Sequence, residues 1–118
     1  MKKVMIIIRP EKYRQTKEAL EKEGFSAFSV MNIQGRGKRS VEFSAGDGSN
    51  SDGTERYHRF VTKKLLIVYI NDEDERRLSE TVIGVNKMGQ AGDGKIFVSP
   101  IKRSIRIRTG EENEDALV

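Results

Sequence analysis

The sequence predicts an α+β domain in which a four-stranded antiparallel sheet carries two helices on one face, the ferredoxin-like split β-α-β plan. Three observations lead there. The chain divides into two halves, each reading apolar strand, capped helix, glycine and second strand. A polar insertion, residues 34–60, separates the halves and is too long for a hairpin turn. The first and third strands are apolar throughout instead of alternating, so both faces of the sheet need cover. With both helices on one face, self-association is the simplest cover for the other.

The elements follow in order. Residues 4–8, VMIII, form a continuous apolar, β-rich run and read as a strand buried on both faces. Pro10 suits the first position of a helix, and residues 11–23 continue as a charged helix closed by Gly24 as its C-cap. Residues 25–33, FSAFSVMNI, give a second strand with imperfect alternation. Residues 65–70, LLIVYI, give a third that is again apolar on both faces. Asn71 and Asp72 stand where they can cap the next helix, whose Leu78, Val82 and Val85 fall at i, i+4 and i+7. That helix ends near Met88 and Gly89, and residues 95–98 make the fourth strand. Within the insertion, residues 44–53, SAGDGSNSDG, offer nothing to pack. A structureless stretch of this size is either functional or a floppy insertion.

The 118 residues allow one domain with a modest core. A chain that is 34% charged and 36% hydrophobic is ordinary for a soluble globular protein, and no run reaches the length of a membrane span. The N-terminus lacks a signal peptide's apolar stretch, so the cytoplasm is the expected compartment. With no cysteine there is no disulfide framework, thiol catalysis or zinc knuckle. The net charge of +4 fits nucleic acid as well as any phosphate-binding protein, but the cations are spread and no nucleic-acid partner is expected. His58, the only histidine, sits in a polar loop and reads as solvated. The cluster at residues 72–74 reads as a helix N-terminus and the acidic tail, residues 112–118, as a disordered terminus. Paired catalytic carboxylates, a Ser/His/Asp set and a metal-ligand cluster are all missing, so no catalytic residue is assigned.

The stretch with chemical content is residues 89–100, GQAGDGKIFVSP, answered by residues 106–111, RIRTGE. Gly89, Gly92 and Gly94 free the backbone so that successive N–H groups can converge on an anion, with Lys95 at the lip. The spacing satisfies GxxxxGK, yet Ile96 stands where a P-loop needs Ser or Thr, and a strand follows where a P-loop has a helix. The same glycines also fit a plain helix-to-strand connection. Arg106 and Arg108, two apart, share one face if they lie on a strand, with Ile105 and Ile107 on the other. Two guanidiniums on one face make a phosphate clamp; charge protecting an edge strand is the alternative. At the base of the insertion Gly35, Arg36, Gly37, Lys38 and Arg39 form a second glycine-and-cation cluster.

GDGKIFV followed by IRIRTGE resembles the signature of the PII family of nitrogen-regulatory signal proteins, and the likeness runs through residues 1–111. The resemblance implies a trimer whose sheets line the interior, with the insertion as the T-loop that reaches partner proteins. It implies that ATP or ADP binds between subunits. Gly92, Asp93, Gly94 and Lys95 match the phosphate loop, and Arg106 and Arg108 match arginines arriving from the next subunit. Gly35, Gly37 and Lys38 match the T-loop base. Ser29 stands where many members have a Thr that contacts adenine, and Tyr69 falls at a position lining the same pocket. Lys63 matches the lysine that pairs with the distal carboxylate of 2-oxoglutarate.

Departures qualify that carry-over. Where typical members have a Gln that coordinates magnesium and 2-oxoglutarate, this chain has Arg39, which is acceptor-free and cannot ligate a metal. Met88 replaces the usual Ser or Thr ahead of the loop, and Tyr57 is far from the usual position of the uridylylated tyrosine. The run GRGK, the run FSAFSV and the atypical loop are similar to the nitrogenase-associated branch, whose members act as a complex of two different subunits. The partners implied are a second copy or a paralogue, and a target enzyme or transporter, with nitrogenase as one candidate. No direct membrane insertion is expected. The competing class is a small nucleotide-handling enzyme on a ferredoxin-like fold, for which only His58 is available as a phosphorylatable histidine.

Overall fold

β1 (Lys2–Ile8) is the strand on which the sheet is built, because it pairs with a neighbour along each edge. The computed structural model describes residues 1–36, 41–44, 54–57 and 60–117. A short 3-10 turn, Pro10–Lys12, leads into α1 (Tyr13–Lys22), followed by β2 (Ser29–Gly35). Next come β3 (Val41–Ser44), β4 (Thr54–Tyr57) and β5 (Val61–Ile70). A second 3-10 turn, Asp72–Asp74, opens α2 (Glu75–Asn86), and β6 (Lys95–Pro100) follows. The main sheet has the order β2-β5-β1-β6 with every pairing antiparallel, which is the split β-α-β plan.

Alternation along β1 separates the two faces. Val4, Ile6 and Ile8 are buried beneath the helices together with Leu66, Val68 and Ile70 of β5. Leu20 of α1 and Leu78 and Val82 of α2 close the core from above. The helices also share a buried polar contact, in which Asn86 Nδ2 donates to Thr16 Oγ1 at 3.0 Å. On the helix-free face the register aligns Met5 with Ile67 and Phe97, and Ile7 with Leu65. Met31 lies opposite Leu65, and Tyr69 opposite Lys3. Met31, Tyr69 and Phe97 are 47%, 45% and 51% exposed, so this face is apolar and open in a single chain.

The structure corrects several sequence expectations. The second strand begins at Ser29, since Phe25 is drawn into the core beneath the Arg77 guanidinium and Phe28 packs alongside. β5 starts earlier than expected, at Val61, and α2 ends at Asn86. Val85 is only half-buried, and Asn86 occupies the next buried position. Asn71 makes no side-chain cap; the Met1 ammonium instead donates to Asp72 Oδ1 at 2.9 Å. The insertion holds the β3–β4 ribbon, so it is not structureless throughout. The tail is ordered through residue 117: Glu112 bridges Ile105, and the Asn113 N–H donates to Ser104 O at 2.7 Å. Among the described residues no helix is long and apolar enough to cross a membrane.

Candidate functional site

Between α2 and β6 the backbone turns on glycines with positive φ: 77° at Gly89, 93° at Gly92 and 125° at Gly94. Gly94 is the most constrained. A Cβ there would lie 2.2 Å from the Ile7 carbonyl oxygen, so only glycine lets the loop run this close to β1.

The sequence predicts an amide cradle for an anion, and a cradle is present. Its occupant is the chain's own Asp93. Asp93 Oδ2 accepts from the N–H groups of Met88, Gly89 and Gln90 at 2.8, 2.9 and 3.3 Å. Asp93 Oδ1 accepts from Arg9 Nη1 at 2.8 Å, and Arg9 Nη2 donates to Ala91 O at 3.1 Å. Lys63 Nζ donates to Gly92 O at 2.9 Å. Arg9 and three backbone amides thus hold the Asp93 carboxyl well below the usual carboxylate range, with the Arg9 hydrogen bond the largest cause. Burial pushes the Lys63 ammonium down, and the nearby Arg9 charge adds to that.

Sequence reading missed Arg9. It sits before Pro10, where it looks like a strand boundary. The signal lies in the register: extended past the end of β1, position 9 comes level with Lys63 of β5 and with Asp93, two residues ahead of β6. Loop and cations therefore meet only once the sheet is assembled.

The arginine clamp is not on a strand. Ile105 makes a single bridge, and residues 107–109 form a turn. The Gly110 N–H donates to Arg106 O and the Arg106 N–H to Glu111 O, both at 2.8 Å. With φ of 75°, Gly110 reverses the chain, so Arg106 and Arg108 flank a turn tip in place of sharing a strand face. Arg106 Nη1 also pairs with Glu111 Oε1 at 3.1 Å.

The expected site residues fall into two groups. Gly35, Lys63, Gly92, Asp93, Gly94 and Lys95 gather with Arg9 at the end of the sheet where β6 begins. Tyr69 lies at the other end, where it lines a cavity of about 270 Å3 with Ile101, Arg103, Ser104, Ala116 and Leu117. The turn bearing Arg106 and Arg108 leaves from that end, and Ser29 lies toward it, opposite Ile67. Lys63 and Tyr69 are both on β5 and roughly 20 Å apart along an extended strand. One chain does not bring the two groups together. Gly37, Lys38, Arg39 and His58 lie outside the described residues. Among the described residues no group of three His, Cys, Asp or Glu side chains could hold a metal ion.

The family profile "Nitrogen regulatory protein P-II" matches residues 1–111. The chain belongs to the P-II family. It is 39% identical to "Nitrogen fixation nifHD region GlnB-like protein 2" of Methanobacterium ivanovii, with 100% of each chain covered. Among solved structures it superposes on Bacillus subtilis GlnK with a TM-score of 0.77, 30% identity and coverage of 98% of this chain and 97% of that one. It superposes on Arabidopsis thaliana PII bound to citrate with a TM-score of 0.73, 30% identity and coverage of 98% and 88%. The P-II fold extends over the sheet, both helices and the C-terminal turn. P-II proteins are nitrogen regulators, and the nifHD-region relative matches the nitrogen-fixation branch that the sequence resembles.

Proposed function

We propose that this P-II protein is a cytoplasmic trimeric regulator that binds ATP or ADP between neighbouring copies and signals through residues 34–60 to a nitrogen-metabolism target. The supporting observation is the two-ended distribution of the site. The phosphate-loop group and the group of Ser29, Tyr69, Arg106 and Arg108 lie at opposite ends of one sheet. A head-to-tail copy supplies each end with its complement, and the apolar helix-free face gives the copies a reason to associate. The assembly is a homotrimer or a mixed assembly with a paralogue.

The phosphates lie on the loop of Gly92 to Lys95, and Arg106 and Arg108 arrive from the neighbour. On this reading Lys63 takes the distal carboxylate of 2-oxoglutarate, and the citrate held by the Arabidopsis relative belongs to the same polycarboxylate chemistry. Arg39 cannot carry magnesium, so 2-oxoglutarate contacts guanidinium directly or is not bound. The relatives' nifHD names favour nitrogenase as the target. Each ligand shifts the insertion only by its differential affinity for the insertion's states.

Calorimetry with ATP and with ADP tests this reading. The wild type binds both, and Lys95→Ala weakens both by about tenfold or more, the cost of one charge-assisted hydrogen bond. Unchanged affinity in that variant overturns the site, and steady phosphate release from ATP favours an enzyme over a regulator.

A further inference from the structure

Thr16 and Asn86 are the buried polar side chains among the described residues, at 0% and 4% exposure, and they meet between α1 and α2. Their hydrogen bonds run in one direction. The Thr16 hydroxyl has a single proton and donates it to Lys12 O at 2.7 Å. It can therefore only accept from Asn86 Nδ2, at 3.0 Å, and Val82 O, at 2.9 Å from the same nitrogen, likewise only accepts. The amide cannot be turned round, so its Oδ1 stays buried with no hydrogen-bond partner among the described residues. An unpaired buried acceptor is costly, and an aliphatic side chain at position 86 avoids it. Stability alone does not account for asparagine here.

The pair ties two backbone segments that meet again at the phosphate loop. From Thr16 the route runs to Lys12 O, and the Lys12 N–H donates to Arg9 O at 3.1 Å. From Asn86, the last residue of α2, the chain passes directly to the N–H groups of Met88, Gly89 and Gln90. Those N–H groups hold one oxygen of the Asp93 carboxylate, and Arg9 holds the other. The bonds close a circuit from Arg9 through Lys12, Thr16, Asn86, the loop amides and Asp93 back to Arg9. Asn86 also lines a cavity of about 320 Å3 together with Asp93, Gly94 and Lys95, so the pair lies beside the loop.

We infer that Thr16 and Asn86 are positioning residues for the phosphate loop. Their hydrogen bond fixes the end of α2 against the start of α1, and so sets where the amides of residues 88–90 and the Lys95 ammonium stand. Leu20, Leu78 and Val82 pack without directional preference and let one helix slide slightly over the other. A hydrogen bond allows one short distance and a narrow range of angles, and pins the register. Nucleotide as the ligand rests on the function proposed above; the circuit does not.

The test is Thr16→Val/Asn86→Leu, which replaces both polar partners by apolar groups of similar shape beside a cavity that can take the added methyl. Its melting temperature is expected at or above that of wild type, because the unpaired acceptor is gone. ATP is nonetheless expected to bind about tenfold more weakly, as if one charge-assisted hydrogen bond were lost. Hydrogen exchange at Met88, Gly89 and Gln90 is expected to quicken. Thr16→Ser keeps the hydroxyl and is expected to retain wild-type affinity. If the double variant folds poorly, Asn86→Leu alone carries the same expectations, since Thr16 then keeps its bond to Lys12. Wild-type exchange at the three amides overturns the positioning role, and so does wild-type ATP affinity in a variant whose amides exchange faster. A melting temperature that falls together with the affinity overturns it too, because the pair is then merely structural. A wild-type protein that binds neither ATP nor ADP removes the nucleotide reading instead, and the exchange comparison then decides the positioning by itself.

Discussion

Arg9 and Asp93 are 84 residues apart in sequence, and their side chains meet at 2.8 Å with the three amides of Met88, Gly89 and Gln90 on the carboxylate's other oxygen. The anion-binding loop is thus preorganised by an internal anion, which fixes the glycine turns before any ligand arrives. Its titration gives a pH signature. The folded Asp93 carboxyl is held below its ordinary value of 3.8, so its stabilisation is present above that value and is lost as pH falls below it. Asp93→Asn is expected to speed hydrogen exchange at Met88, Gly89 and Gln90 at neutral pH. It is also expected to remove the acid dependence of that exchange. Exchange that is equally protected in both proteins contradicts the latch.

Gly94 and Gly35 form a second contrast. At Gly94 a Cβ meets the Ile7 carbonyl at 2.2 Å and φ is 125°, so Gly94→Ala is expected to lose about 1–3 kcal/mol from backbone strain alone. At Gly35 a Cβ meets nothing within 4 Å, so Gly35→Ala is expected to stay within about 0.5 kcal/mol of wild type. Urea denaturation of the two variants decides it; equal stabilities contradict the close approach.

Ile67 and Val68 are neighbours on β5 with opposite fates. Val68 is 1% exposed beneath the helices, so Val68→Glu buries an unpaired charge and is expected to leave insoluble protein. Ile67 faces the helix-free side, level with Met5 and Ser29. Ile67→Glu is expected to keep its helical circular dichroism and to sediment as single chains. An Ile67→Glu protein that still assembles fully argues against that face as the trimer core.

Lys95→Ala and Arg108→Ala remove groups from opposite ends of the sheet. Each variant alone is expected to bind ATP about tenfold more weakly or worse. Refolded together as a mixture, they are expected to regain a fraction of full-affinity sites, since some junctions then pair an intact Lys95 with an intact Arg108. A mixture no better than either parent indicates that both groups act within one chain.

For 2-oxoglutarate, titration into ATP-loaded protein with and without magnesium separates two outcomes of Arg39. The expected result is either no binding or binding with little magnesium requirement, through bidentate guanidinium contacts. Tight binding that vanishes on chelation and survives Arg39→Ala contradicts both.

Local pattern alone determined the order of the four main-sheet strands and two helices, the α+β plan and the glycine loop, but not the β3–β4 ribbon. Periodicity and capping residues are written within a few positions of one another, as in VMIII, Pro10 and the Leu78–Val82 spacing. The surplus of apolar residues on the first and third strands likewise announced an uncovered face, because a strand read alone shows both of its sides. Long-range pairing settled the rest. Phe25 left the second strand for the core, and Gly110 bent RIRTGE into a turn that a two-residue period cannot reveal. Arg9 reached Asp93 only because β1 lies between β5 and β6. The separation of Tyr69 from Lys63 depends on direction along β5, so only the tertiary structure divided the site between two ends of the sheet.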